Sequence, residues 1–87
     1  MRDTEYAREL ATAKIEYPDG HEAQIERLFV KGIQQEEIRF SWWKDGRMIP
    51  RPLDLPEDDL LELMKRAMDT DALSRNFVNN LRRLITK

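Results

Sequence analysis

Cysteine is absent from this chain. Its absence excludes a disulfide, a thiolate zinc site and a thiol nucleophile. Histidine occurs once, as His21. A nucleophilic triad needs Ser or Cys with His and an orienting carboxylate, and neither Ser41 nor Ser74 has a motif around it. The three glycines, Gly20, Gly32 and Gly46, are isolated, so no glycine-rich loop cradles phosphate. No apolar run approaches the ~20 residues of a membrane helix. The first residues, Met1-Arg2-Asp3-Thr4-Glu5, are charged and lack the apolar stretch of a secretory signal. The expectation is a soluble, cytoplasmic protein without membrane partners that is not an enzyme. His21 reads as an exposed turn residue. A small hydrolase or isomerase built on it is the second alternative to the reading reached below.

Eighty-seven residues make one domain at most, here 1–87. A domain of this size buries roughly 60–65% of its unfolded surface, so self-association is a natural supplement. The chain is 37% charged and 40% hydrophobic with net charge −2, a charge-rich but globular balance. The charge is uneven. Residues 1–64 carry nine Lys and Arg against fifteen Asp and Glu (−6), and residues 65–87 carry six against two (+4). An acidic body with a basic tail suits an anion or a complementary copy of itself.

Residues 1–10 read in two ways. Tyr6, Ala7, Leu10 and Ala11 have helical spacing behind Asp3 or Thr4 as a cap, or the segment is disordered. From Ala11 the pattern alternates, predicting a strand over 11–17. Pro18-Asp19-Gly20 is a turn, because proline presets φ and glycine accepts positive φ. A second strand follows over 22–30, with a bulge expected near Arg27 where the alternation shifts. Gln34 to Glu37 reads as a loop into a third strand over 37–43. Asp45-Gly46 is the preferred pair of a two-residue type I′ hairpin. That turn dictates pairing: Lys44 with Arg47, Trp43 with Met48, Trp42 with Ile49. The fourth strand, 47–50, is short and at an edge, because Pro50 and Pro52 deny ladder hydrogen bonds.

Helical spacing then replaces alternation. Pro56 suits a first helical position, and Glu57, Asp58, Asp59 and Glu62 favour the positive end of the dipole. Leu60, Leu63, Met64, Ala67 and Met68 form the stripe of a helix over 56–69. Asp71 or Ser74 caps a second helix over 75–85, with Phe77, Val78, Leu81, Leu84 and Ile85 as its stripe. The fold class is α+β: an antiparallel meander of about four strands followed by two helices on one sheet face.

Successive side chains of a strand face opposite ways, so Trp42 and Trp43 cannot share a core. The register assigns Trp42, Phe40 and Ile49 to the core. It leaves Trp43 and Met48 for the outer face, beside Arg39 and Arg47. Tryptophan, methionine and arginine are enriched at interfaces. The predicted function is therefore regulatory binding, through a protein–protein contact centred on Trp43 and Met48 and rimmed by Arg39 and Arg47. A homodimer through this side or an edge is the expected assembly.

The alternative is single-stranded nucleic acid. Arg75, Arg82, Arg83 and Lys87 would contact phosphates if they cluster, and Trp43 between Arg39 and Arg47 would serve as a stacking platform. The meander-then-helix order resembles the coactivator family of single-stranded DNA binders, although here the strand half is net acidic and a second helix is appended. Pro52-Leu53-Asp54-Leu55-Pro56 resembles the Pro-x-Asp-Leu-Ser peptide bound by C-terminal-binding-protein corepressors over four positions, with Pro56 in place of serine. Its approach to the helix accounts for the segment structurally. The acidic group of Asp54, Glu57, Asp58, Asp59 and Glu62 lacks the Asp-x-Asp-x-Asp-Gly loop of an oxygen-ligand site. No metal or cofactor is expected.

Overall fold

The computed structural model describes residues 2–86. Four antiparallel strands follow one another in a curled sheet of order β1-β2-β3-β4: β1 is Ala7–Glu16, β2 His21–Val30, β3 Gln35–Lys44 and β4 Arg47–Ile49. Two helices follow, α1 Glu57–Asp69 and α2 Arg75–Ile85. The α+β meander expected from the sequence is the fold observed.

The sheet is longer than its alternation suggests. β1 begins at Ala7, and a bend at Glu5 and Tyr6 folds Asp3 back to an isolated antiparallel bridge with Arg8, so residues 2–10 form no helix, and Met1 lies outside the described residues. β3 begins at Gln35, inside the expected loop. The turn is confined to residues 31–34, where Gln34 takes a φ of 53°. The expected irregularity exists, but the extra residue is on the other strand. Glu9 pairs with Leu28 and Ala11 with Arg27, so Leu10 bulges from β1. The bulge flips the alternation, which brings Ala7 and Glu9 onto the face that Thr12 and Lys14 occupy farther along. Asp45 and Gly46 both adopt positive φ, 51° and 79°, as a type I′ turn requires. The pairs Trp42–Ile49, Trp43–Met48 and Lys44–Arg47 follow.

Pro56 occupies the N-cap of α1 rather than its first turn. Ser74 caps α2, its side chain accepting from the Phe77 N–H at 3.1 Å. The core lies between α1 and the first two strands. Ala11, Ala13, Ala23 and Ile25 meet Leu63, Ala67, Ala72 and Leu73. Three alanines on the sheet let α1 approach closely. A helix is ~10 Å across and strands are ~4.8 Å apart, so one helix covers about two strands. β3 and β4 are left without a helix of their own.

Candidate binding surfaces

The face of Trp43 is polar and tightly paired. Glu26 of β2 pairs with Arg39 of β3, and Ser41 and Trp43 follow on the same side by alternation. The Glu26 side chain is 0% exposed. It accepts hydrogen bonds from Arg39 Nε at 3.0 Å and Nη2 at 2.9 Å, from Ser41 Oγ at 2.7 Å and from Arg2 Nη2 at 2.7 Å. Ser41 in turn accepts from Trp43 Nε1 at 2.8 Å. A buried carboxylate persists only when paired and hydrogen-bonded in this manner.

Arg2 closes the arrangement. Its guanidinium lies 3.8 Å from the centre of the Trp43 ring and also donates to Glu9 at 2.9 Å. Glu9 receives the Thr12 hydroxyl and the Arg2 backbone N–H as well. Burial alone would raise the Glu9 pKa, but these hydrogen bonds and the Arg2 charge outweigh it and hold the carboxyl below its ordinary value. An open cavity of about 280 Å³ lies here, with Arg2, Tyr6, Glu26, Arg39, Trp43 and Met48 among its lining.

The predicted site residues thus divide. Trp43, Met48 and Arg39 meet at this cavity. Trp43 is only 6% exposed, because Arg2 covers it; the indole does not stand toward solvent. Arg47 pairs with Lys44, on the Trp42 side of the sheet, and is no rim to Trp43. Arg75 and Arg82, seven apart on α2, line one cavity with Asp71 and Val78. Arg83 instead donates to Asn80 at 3.3 Å, and Lys87 lies outside the described residues. Glu26, Glu9 and Arg2 escaped sequence reasoning. Alternation puts Glu26 on the polar face of its strand, but only the β2–β3 register places it beside Trp43.

The second surface is apolar and lies on the helix side. Phe40, expected in the core with Trp42, is 50% exposed, and Ile38 is 41% exposed. Phe40 shares a cavity with Leu53, Leu55 and Leu60, and Ile38 shares the next one with Leu73 and Phe77. Phe77, Leu81 and Leu84 continue along α2 at spacings of four and three. None of the residues of α2 is buried, although Val78 packs against the core. Leu84 and Ile85 are 60% and 72% exposed. An apolar strip therefore runs from α1 across β3 onto α2. Asp54 borders one cavity, and Glu36, Glu37 and Arg27 border the other, where Arg27 lies 3.6 Å from Glu36. Arg82 and Arg83 stand in the last turn of α2.

No helix among the described residues is long and apolar enough to cross a membrane. No family model, curated protein or solved structure matches this chain significantly.

Proposed function

We propose that the chain is a non-catalytic protein-binding module, and that its first partner is a second copy of itself. The observation that carries this reading is α2, an amphipathic helix that buries no residue of its own and adjoins an uncovered half of the sheet. Amphipathic helices are stabilised chiefly by burying their apolar face, and here only Val78 and Leu81 of that face are even partly buried. The exposed portions of Ile38, Phe40, Leu60, Phe77, Leu84 and Ile85 amount to about 600 Å² per copy, near the ~800 Å² that each partner of a stable complex contributes. A two-fold arrangement, in which each copy meets the same surface reversed, would let the strip cover itself.

This reading moves the contact from the Trp43 side of the sheet to the helix side. Trp43 and Arg39 support the sheet from within, and Met48 and Tyr6 remain at its rim. Sedimentation equilibrium tests the proposal. Wild type is expected at about twice 10.4 kDa, with Phe40→Glu and Leu84→Glu each giving the monomer mass while retaining the wild-type circular dichroism. Wild type at the monomer mass, or a dimer unaffected by both charges, would overturn it.

A further inference from the structure

We infer that the corner where the first hairpin meets the 50–52 connector is a binding site for a flat, aromatic anion. The cavity there measures about 410 Å³ and is lined by Tyr17, Pro18, Asp19, His21, Trp42 and Arg51, within the range of small-ligand pockets. It is separate from the apolar strip and does not depend on it.

Rings supply much of the wall. Tyr17 and Trp42 are tilted at 47° with centroids 5.9 Å apart, and His21 meets Trp42 edge-on at 6.1 Å. The Tyr17 hydroxyl donates to Asp59 at 2.7 Å, which leaves Tyr17 to offer its ring. Such surfaces favour a planar π-system lying offset or edge-on against them.

The positive charge comes from Arg51. Its guanidinium carbon lies 5.5 Å from the centre of the Trp42 ring, and it takes no part in the salt bridges among the described residues. A guanidinium beside an aromatic face has the fork geometry to hold a carboxylate or phosphate in two hydrogen bonds. Asp19 is the only carboxylate of the lining, and both its oxygens are occupied by His21. Oδ1 accepts the backbone N–H at 3.0 Å, and Oδ2 lies 2.9 Å from Nδ1. The ligand chemistry is thus a ring for Trp42 and an anion for Arg51. A nucleoside 5′-phosphate and an aromatic carboxylate both carry it.

Two-dimensional NMR on the whole chain distinguishes these sources by following the indole N–H signals of Trp42 and Trp43. The probes are adenosine 5′-monophosphate and benzoate, with adenosine and inorganic phosphate supplying ring or anion alone. At least one of the first two should shift the Trp42 signal saturably, spare Trp43, and bind about tenfold tighter than either part alone. Whichever does so identifies the source. Arg51→Ala, in an exposed connector, should weaken that binding about tenfold with the remaining spectrum unchanged, and Arg51→Lys should restore part of it. The inference fails if neither probe shifts Trp42, if the probe that does so binds no better than a ring or an anion alone, or if Arg51→Ala binds it as wild type does.

Discussion

Two neighbouring tryptophans of β3 report on two sides of one sheet, and the sides are finished differently. Trp43 lies on a face closed by ions: Glu26, Arg39, Ser41 and Arg2 satisfy one another, and the indole is buried without any layer of helices above it. Trp42 lies on the face that carries the helices, yet its strand neighbours Phe40 and Ile38 are half exposed. A polar face can close itself when every buried charge finds a partner. An apolar face closes only if enough apolar surface arrives to cover it. The single helix α1 is too narrow for four strands, and α2 does not supply the difference.

Substitutions separate the two sides. Leu63→Ala, between α1 and the alanine-lined strands, should cost about 3 kcal/mol by chemical denaturation. Phe40→Ala, on the uncovered half, should cost the monomer well under half of that. Arg39→Leu withdraws two hydrogen bonds from the fully buried Glu26 and should cost about 3 kcal/mol, whereas Arg47→Leu on the opposite face should fall within ~0.5 kcal/mol of wild type. Equal losses from both arginines would break the distinction between the faces.

Acid should weaken the ionic face. Glu9 has its pKa held below the ordinary value of 4.5. A carboxylate with a depressed folded pKa contributes stability that is present above its unfolded pKa and lost as pH falls through the folded one. Denaturation midpoints at neutral pH and at about pH 3 should therefore differ less in Glu9→Gln than in wild type. Ser74→Ala removes the α2 cap and should cost about 1 kcal/mol.

Much of the fold is legible from local rules. Asp45-Gly46 dictates the hairpin and its three cross-strand pairs, and proline and the acidic first turn place the start of α1. What is not legible depends on residues far apart in sequence. Arg2 reaches Glu26 across 24 positions, and nothing in Met1–Glu5 announces it, so the burial of Trp43 is invisible to alternation. The bulge at Leu10 is masked because Tyr6, Ala7, Leu10 and Ala11 happen to have helical spacing. Phe40 reads as core because its alternation is correct. Its exposure is set by the width of the helical layer, a property of the tertiary arrangement and not of the strand.

In the proposed dimer the uncovered helix-side strip, rather than the Trp43 face, joins two copies. Isotope-filtered NOE spectroscopy on a mixture of labelled and unlabelled protein tests it most directly. Cross-peaks between copies are expected from Leu81 and Leu84 of α2 and from Ile38 and Phe40 of β3. Cross-peaks centred instead on Tyr6 and Met48, or none between copies, would contradict it.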